Sequence, residues 1–239
     1  KNNNIIFIDQ KNMGPSIARN NAIKKINSEY FLIVDSDDYI SLDTLKILNE
    51  NITKDLEDRG VNIFIGQAAA NITDDIDLFV YTAAIHEDNP EFAAVKEKNI
   101  PMMSRAELLG YVMSKFKEGI AISGTHGKTT TTSMLSCILL DSGVDPTISV
   151  GGVLKKIGGN IHIGKGETFL TEACEYTNSF LELYPTISVI LNVEEDHLDF
   201  FKDIDDIRNS FKKFVNNTSS EGCIIINDKI EKNGEITKD

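Results

Sequence analysis

Cysteine is scarce in this sequence: among 239 residues there are three, Cys137, Cys174 and Cys223. They are odd in number and widely spaced, and each lies in an apolar or strand-like stretch. A disulfide framework uses an even set of cysteines, commonly in a short secreted chain. The pattern therefore argues against a disulfide-stapled fold and favours reduced thiols that pack as ordinary core or surface side chains.

Long apolar runs and clusters of basic residues are also missing. No run reaches the length of a membrane span, and the N-terminal "KNNNIIFIDQ" lacks the apolar region and cleavage site of a signal peptide. Lys and Arg number 24 against 37 Asp and Glu, so the net charge of −13 offers no natural surface to nucleic acid or to an anionic membrane. We expect a cytoplasmic globular protein without nucleic-acid partner or membrane insertion, and the oligomeric state is left open.

Strand and helix patterns alternate in the first half of the chain. Apolar runs predict strands at "IIFIDQ", "YFLIVDSDD", "VNIFIG" and "IDLFVYTAA". Helical spacing predicts helices at "SIARNNAIKKI", "SLDTLKILNENITKDLEDRG", "NPEFAAVKEK" and "RAELLGYVMSKF", the second ending at Gly60 and the third beginning at Pro90. This alternation predicts a parallel α/β sheet.

A second α/β unit begins near Gly119. It reads as the strand "GIAIS", a glycine-rich loop, the helix "TTSMLSCILLDSG", the strand "TISVGG" and two short strands within "KKIGGNIHIGKGETFLTEACEY". The strand "TISVILN", the amphipathic helix "DIDDIRNSFKKFVNN" and the strand "CIIIND" follow. The sequence thus predicts two Rossmann-like parallel-sheet units with a boundary near residues 117–119.

The glycine-rich loop is the stretch "ISGTHGKTTTTSM", residues 122–134. Gly124 and Gly127 allow a tight turn whose backbone N–H groups, with the helix dipole, attract an anion. Lys128 would reach the β and γ phosphates of a nucleotide, and Thr129 would offer its hydroxyl to Mg²⁺. The general P-loop pattern has a glycine where this chain has Ile122, so the loop is tighter than usual. The alternative is a glycine-rich turn that binds nothing.

Acidic residues and a histidine follow two further strands. Glu172 and Glu175 come after the strand "ETFL", and His197 comes after the strand "TISVILN". Ligands of open parallel sheets bind at the carboxyl ends of strands, so we expect Thr129, Glu172 and His197 to converge on one metal–nucleotide site. Taken alone, Glu172 and His197 are also compatible with a solvated acid and a strand-end histidine. His86 and His162 are interpreted as ordinary polar residues.

Three stretches together resemble the Mur ligases of peptidoglycan synthesis: "SGTHGKTTTTSM", "EACEYTNSFLELYPTISVILNVEEDHLDFF" and "YTAAIHEDNPEFAAVKEKNIPMMSRAELL". The resemblance extends from about residue 51 to about residue 228. His126 is informative, because the later ligases of the pathway usually carry Asn at this position of the loop. It points to the branch of the family that adds alanine, or to a recycling relative that attaches a tripeptide.

The resemblance implies an ATP-dependent amide ligase that joins L-alanine to UDP-N-acetylmuramate through an acyl phosphate, with ATP and Mg²⁺ at a P-loop-type central domain. It implies that Lys128, Glu172 and His197 are catalytic and that Thr129, Glu172 and His197 serve the metals. By the same resemblance, the nucleotide-binding residues are Gly124, Thr125, His126, Gly127, Lys128, Thr129, Thr130 and Asn192.

The first fifty residues resemble a different family, the family-two glycosyltransferases. Its "N-x-G-x-S-x-A-R-N" stretch is matched by Asn12, Gly14, Ser16, Ala18, Arg19 and Asn20. Its acidic metal motif is matched by "VDSDD", which implies that Asp35 and Asp37 hold a divalent cation and a sugar-nucleotide diphosphate. A solvated acidic cluster is the alternative for these two residues. Nucleotide-sugar transfer is therefore a second hypothesis for the function.

Together, the two resemblances predict a chimeric chain that is truncated at both ends. We expect a glycosyltransferase-like fragment at 1–50, the remainder of a Mur ligase N-terminal domain at 51–117 and a truncated central ATP-binding domain at 118–239. The family's glycine-rich turn for uridine diphosphate and its closing C-terminal domain find no match here, so we expect little turnover. An inactive ATP-binding module is a third hypothesis.

Overall fold

The computed structural model describes residues 54, 56–82, 85 and 87–237. The strands and helix predicted within residues 1–53 lie outside the described residues, as do Asp35, Asp37 and His86. Contacts between residues divide the chain into two compact units, Lys1–Gly66 and Gln67–Asp239. Each unit is described by itself.

The described part of the first unit is the end of a helix and the segment that follows it. Residues 56–58 are helical, and Gly60 then adopts a φ of +84°. The N–H group of Val61 donates to the carbonyl of Leu56 at 3.0 Å, which closes the last turn. The predicted end of this helix at Gly60 is confirmed.

The strand predicted at "VNIFIG", residues 61–66, is wrong. In the described part of this unit, no residue of that segment pairs in a sheet. Phe64 and Ile65 are 61% and 69% exposed, so this apolar run is not buried. Apolar content alone does not make a strand, because a strand also needs a partner for its backbone N–H and C=O groups.

The second unit begins with a small parallel sheet of two strands. Strand β1 (Phe79–Tyr81) pairs with β2 (Met102–Ser104), and helix α1 (Pro90–Glu97) connects them. Asn89 caps α1 by accepting hydrogen bonds from the N–H groups of Glu91 and Phe92, so the predicted helix start at Pro90 is confirmed. Strand β1 is shorter than the predicted "IDLFVYTAA", and β2 was not predicted.

Helix α2 (Arg105–Met113) follows β2 directly. Ser104 and Glu107 form a capping box: the Ser104 side chain accepts from the Glu107 N–H at 3.1 Å, and the Glu107 carboxylate accepts from the Ser104 N–H at 2.7 Å. Gly110 lies directly against the carbonyl of Glu182, where an added Cβ would stand 1.9 Å from that oxygen. This glycine therefore sets how closely α2 approaches the 3₁₀ segment Tyr176–Glu182.

The main sheet of the second unit has six strands. They are β3 (Glu118–Ser123), β4 (Thr147–Leu154), β5 (Gly159–His162), β6 (Thr168–Ala173), β7 (Ile187–Ile190) and β8 (Cys223–Ile226). Their order is β5-β4-β6-β3-β7-β8, and every neighbouring pair is parallel except β4 with β5. The predicted α/β class with a parallel sheet is confirmed, with one antiparallel edge strand.

Helices cover both faces of this sheet. The helices are α3 (Lys128–Asp141), α4 (Ile204–Asn216) and the short α5 (Asn233–Ile236). Ile120, Ile122 and Leu170 pack with Leu135 and Leu139 of α3. The alternate residues, such as Ala121, Phe169 and Ala173, join a larger core with Phe211 and Phe214 of α4. Burial on both faces explains why the strands read as continuous apolar runs.

The register of the central strands sets the position of the site. Ser123, the last residue of β3, pairs with Ala173 on one side and with Ile190 on the other, which are the last residues of β6 and β7. The segments that follow these three strands therefore leave the sheet side by side. Among the described residues, no helix combines the length and the apolar character needed to cross a bilayer.

Candidate functional site

The loop between β3 and α3 contains two glycines with positive φ. Gly124 has a φ of +142° and Gly127 a φ of +83°. A Cβ at Gly124 would lie 3.0 Å from the Cβ of Leu191, which directly follows β7. The close approach of this segment leaves little room for a side chain at Gly124. Helix α3 begins at Lys128 without a side-chain cap. The N–H groups of its first turn are therefore available to an anion.

The segment after β7 braces this loop. The N–H group of His126 donates to Asn192 Oδ1 at 2.7 Å, and Asn192 Nδ2 donates to the His126 carbonyl at 3.0 Å. The N–H group of Thr125 donates to the Asn192 carbonyl at 3.2 Å, and Thr125 Oγ1 accepts from the Glu194 N–H at 2.9 Å. The segment after β7 thus holds the middle of the loop, the buried Thr125 and its neighbour His126, in place.

Lys128 turns back over its own loop. Its Nζ donates to the carbonyl of Gly124 at 2.6 Å and lies 3.3 Å from the carbonyl of Thr125. It also lies 2.8 Å from Glu175 Oε2. The side chains of Lys128 and Glu175 are 15% and 2% exposed, so this ion pair is largely shielded from water.

Thr129 meets the first acid that follows β6. Its Oγ1 donates to Glu172 Oε2 at 2.9 Å. Glu172 Oε1 accepts from the N–H group of Gly151 in β4, and a Cβ at Gly151 would lie 2.8 Å from Glu172 Oε2. The carboxylate is therefore held between the start of α3 and β4, with a glycine leaving room for it.

His197 lies on the other side of Glu175. Its backbone has a φ of +52°, and its Nε2 stands 3.9 Å from Glu175 Oε1. The ring stacks on Tyr176 with centroids 4.5 Å apart. Tyr176 donates its hydroxyl to Asp199 Oδ2 at 2.8 Å, and this hydrogen bond raises the pKa of Tyr176. The histidine is thus oriented by an aromatic face that is itself anchored.

The strand ends therefore bring the expected residues together in pairs rather than in one cluster. Thr129 contacts Glu172, and Glu175 lies between Lys128 and His197. Thr130 is exposed in the first turn of α3. Within the part of the chain that the structure describes, no three His, Cys, Asp or Glu side chains lie close enough to form a metal site.

Two observations bear on the groups that such a site would hold. The Thr129 hydroxyl and the Glu172 carboxylate are hard oxygen donors, the type that Mg²⁺ prefers. The uncapped start of α3 and the two glycines of the loop suit a phosphate. The residues present thus fit a nucleotide phosphate with Mg²⁺.

Glu175 was noted in the sequence without a role, and the structure makes it the partner of Lys128. The available signal was the spacing of "EACE", which places a second acid three residues after Glu172 at the same strand end. His162, by contrast, stands 3.0 Å from Asp145 Oδ1 and joins none of these contacts.

A cleft of about 740 Å³ opens beside the site. Its lining includes Tyr81 of β1, Arg105 of α2, and Cys174 and Tyr176 after β6. Loss of hydrating water raises the pKa of the Cys174 thiol. Cys137, Cys174 and Cys223 are all free, in agreement with the prediction.

Family models match almost the whole chain. The model described as Mur ligase middle domain matches residues 122–238, and the model described as Mur ligase family, catalytic domain, matches residues 46–117. The model of glycosyl transferase family 2 matches residues 1–80 and so overlaps the second of these.

Two curated relatives with high identity have the same name. UDP-N-acetylmuramate–L-alanine ligase of Agathobacter rectalis is 58% identical over 186 residues, which are 78% of this chain and 40% of the relative. The enzyme of the same name from Lachnospira eligens is 53% identical over 229 residues, which are 96% of this chain and 48% of the relative. The chain therefore spans less than half the length of these curated relatives.

Solved structures agree on the fold. A UDP-N-acetylmuramate-alanine ligase of Thermotoga maritima superposes with a TM-score of 0.69 at 28% identity, over 78% of this chain and 43% of that one. A UDP-N-acetylmuramate:L-alanyl-γ-D-glutamyl-meso-diaminopimelate ligase of Neisseria meningitidis gives 0.70 at 27%, over 77% and 62%. With two family models that cover residues 46–117 and 122–238, these matches show that the chain belongs to the Mur ligase family.

Proposed function

We propose that this chain carries the ATP-binding part of a ligase that joins L-alanine to UDP-N-acetylmuramate. The observation that carries the proposal is the convergence of the Gly124–Thr129 loop with Glu172 and Glu175 at neighbouring strand ends. Relatives that are 52–58% identical, all named UDP-N-acetylmuramate–L-alanine ligase, support the choice of reaction.

The chemistry of such a ligase explains why these residue types are needed. In the first step a carboxylate oxygen of the sugar nucleotide bonds to the γ-phosphorus of ATP, and the bond from that phosphorus to the bridging oxygen of ADP breaks. In the second step the amine of L-alanine attacks the acyl carbon, loses a proton and expels inorganic phosphate. Both steps concentrate negative charge, which requires positive groups in fixed positions.

The proposed residues hold the positive charge and the hydrogen-bond donors that both steps need. The Lys128 ammonium and the open N–H groups at the start of α3 would hold phosphate oxygens. Thr129, Glu172 and His197 would hold Mg²⁺, which when bound offsets the charge on the phosphates. Gly124, Thr125, His126 and Gly127 would form the rest of the nucleotide loop, and Thr130 would contribute from the first turn of α3. Asn192 would keep that loop in shape.

The choice of amine rests on sequence rather than on fold. An alanine ligase and a tripeptide ligase superpose almost equally well, with TM-scores of 0.69 and 0.70. His126 is compatible with both branches. Three relatives that are 52–58% identical carry the alanine name, and we therefore propose L-alanine as the added group.

The proposal extends to location and domain division. An ATP-consuming enzyme with free thiols suits the cytoplasm, with small molecules as its partners. We propose a break between two Mur ligase domains near residues 117–118, supported by one family model ending at 117 and the other beginning at 122. The segment 1–50 is proposed as the glycosyltransferase-like fragment, supported by the model that matches residues 1–80.

Calorimetry of Mg²⁺-dependent ATP binding tests the proposal. We expect the chain to bind ATP and its Lys128→Ala variant to lose about 100-fold in affinity, because about 2–3 kcal/mol of charge-assisted hydrogen bonding is removed. Lys212→Ala, on an exposed part of α4, is the matched control and should leave the affinity unchanged. If the parent chain does not bind ATP, the proposal is wrong.

Turnover assays then separate the ligase from an inactive ATP-binding module. Phosphate release that requires both UDP-N-acetylmuramate and L-alanine supports the ligase. ATP binding without such release supports the module.

A second candidate function is nucleotide-sugar transfer, favoured by the glycosyl transferase family 2 match over residues 1–80. Asp35 and Asp37 would hold its divalent cation. This function predicts metal-dependent binding of a UDP-sugar that Asp35→Asn and Asp37→Asn remove and that Lys128→Ala leaves intact. No binding of UDP-sugars would refute it.

A further inference from the structure

The Lys128 ammonium has no hydrogen-bond donor left for a ligand. An ammonium carries three N–H donors. Its Nζ lies 2.6 Å from the carbonyl of Gly124 and 3.3 Å from that of Thr125, and it contacts both carboxylate oxygens of Glu175, Oε2 at 2.8 Å and Oε1 at 3.2 Å. A phosphate oxygen can therefore bind Lys128 only if one of these contacts is given up.

Glu175 is the acceptor that can be exchanged. The carbonyls of Gly124 and Thr125 belong to the loop itself, which Asn192 and the start of α3 hold in shape. Glu175 approaches from a different strand end and contributes a side chain. Its negatively charged carboxylate occupies on Lys128 the kind of position that a phosphate oxygen would take.

A buried carboxylate also needs a partner after the exchange. Glu175 is 2% exposed, and losing its counter-ion would leave a desolvated charge. Both carboxylate oxygens of Glu175 contact Lys128 Nζ, Oε2 at 2.8 Å and Oε1 at 3.2 Å. A shift of the carboxylate can therefore release one N–H donor to a phosphate oxygen while one carboxylate oxygen keeps the ammonium as its partner.

We propose that Glu175 is a positioning residue that competes with the nucleotide phosphates for Lys128 and gives up one of its two contacts to Lys128 when a nucleotide binds. The inference rests on the proposed function, because it needs a nucleotide at the loop. It explains why the site places two acids with different partners after β6. Glu172 accepts a hydrogen bond from the Thr129 hydroxyl. Glu175 pairs with Lys128, and the free energy of breaking this contact weakens the binding of a phosphate.

Calorimetry with Mg²⁺ and ATP on Glu175→Gln tests this competition. The substitution keeps the shape of the side chain and removes its charge, so the free state holds Lys128 less firmly. We expect the Kd of ATP to fall about tenfold, equivalent to about 1.4 kcal/mol. A residue with a merely structural role would not give tighter binding when it is replaced.

Glu195→Gln is the matched control for charge. Glu195 also follows β7, and it is exposed. The substitution removes one negative charge from the same segment, and we expect the Kd to change less than about twofold, as for other screened surface charges. Equal tightening in Glu195→Gln and Glu175→Gln would overturn the inference.

A double-mutant cycle tests the ion pair without any nucleotide. Thermal unfolding is compared for the parent, Glu175→Gln, Lys128→Met and the double variant. We expect each single change to lower Tm and the double variant to recover part of the loss, because neither partner is then left unpaired. Additive losses would mean that the pair is not coupled and would overturn the inference.

The two experiments distinguish failure of the inference from failure of the proposed function. If the parent binds ATP and Glu175→Gln binds it more weakly, Glu175 supports nucleotide binding and the competition is refuted while the function stands. If the parent does not bind ATP, the proposed function is refuted, and the exchange falls with it even when the cycle shows coupling.

Discussion

Two glycine-rich segments of the second unit differ in whether their backbone leaves N–H groups available to a ligand. In the loop before α3, Gly124 and Gly127 have positive φ, and the helix behind them starts without a side-chain cap. In the segment between β5 and β6, Gly164 donates its N–H to Thr147 Oγ1 at 3.1 Å and Gly166 donates to the Asp145 carbonyl at 2.9 Å. The N–H groups of these two glycines are therefore already used in hydrogen bonds within the protein.

The comparison shows that glycine content alone does not mark a phosphate site. Gly164 and Gly166 are needed because another backbone lies against them: an added Cβ would stand 2.0 Å from the Asp145 carbonyl at Gly164 and 2.1 Å from the Val144 carbonyl at Gly166. Glycines of the first loop shape a turn and leave helix N–H groups for an anion. Only the first segment, near Lys128, combines free donors with a positive charge.

Gly164→Ala should have the largest effect on stability. Its Cβ would collide with the backbone of Asp145 and Pro146, so we expect a loss of about 3 kcal/mol in the free energy of unfolding. Urea unfolding measures this loss. Gly159→Ala is the control, because nothing lies within 4 Å of its Cβ, and it should change the stability by less than about 0.5 kcal/mol. Equal losses in both variants would contradict the clash.

Gly127→Ala should separate binding from stability. Alanine at a φ of +83° costs about 1–2 kcal/mol, and the strain would distort the turn in front of α3. We expect ATP affinity to fall about tenfold or more in calorimetry, because several N–H donors lose their alignment at once.

Gly143 supplies the matched control for this strain. It has a φ of +80° just after the end of α3, with no atom within 4 Å of an added Cβ. Gly143→Ala should therefore lose a similar amount of stability and leave ATP affinity unchanged. A similar loss of ATP affinity in Gly143→Ala would mean that the loop has no special role.

Asp145→Asn should have the smallest effect, a small loss of stability near neutral pH that disappears in acid. A hydrogen bond from His162, with a second from the Lys165 N–H, holds the pKa of Asp145 below its ordinary value of 3.8. A lowered carboxylate pKa stabilises the fold above that ordinary value, and the stabilisation is lost as the pH falls through the folded-state pKa. We expect the Tm of the parent to fall more steeply below about pH 4 than that of Asp145→Asn. If the plots of Tm against pH are parallel for the parent and Asp145→Asn, Asp145 does not contribute in this way.

Much of the second unit could be predicted from local sequence signals. Pro90 predicted the start of α1 correctly, and the glycine-rich turn predicted the helix that follows it, although α3 begins at Lys128, three residues before the predicted stretch. The apolar runs of β3 and β6 are buried on both faces of the sheet, and that of β7 is fully buried on one face. Each of these signals is local, because caps, turns and apolar runs act within a few residues.

The wrong and the missed strand predictions concern segments whose structure depends on a pairing partner far away in the sequence. The run at residues 61–66 is apolar but finds no strand to pair with among the described residues. Strand β2 is three residues long, and its pairing with β1 defines it. Neither outcome is visible in a short window of sequence, since backbone pairing depends on which segment lies alongside.

The sequence by itself determined the family, the class of sheet and the loop that begins at Gly124, since motif, periodicity and turn chemistry are properties of neighbouring residues. Only the tertiary structure decided that Glu175, rather than Glu172, pairs with Lys128. Both acids follow the same strand at a spacing of three residues. The register of β3 with β6 and the burial at the strand end select between them, and both depend on residues about 50 positions apart.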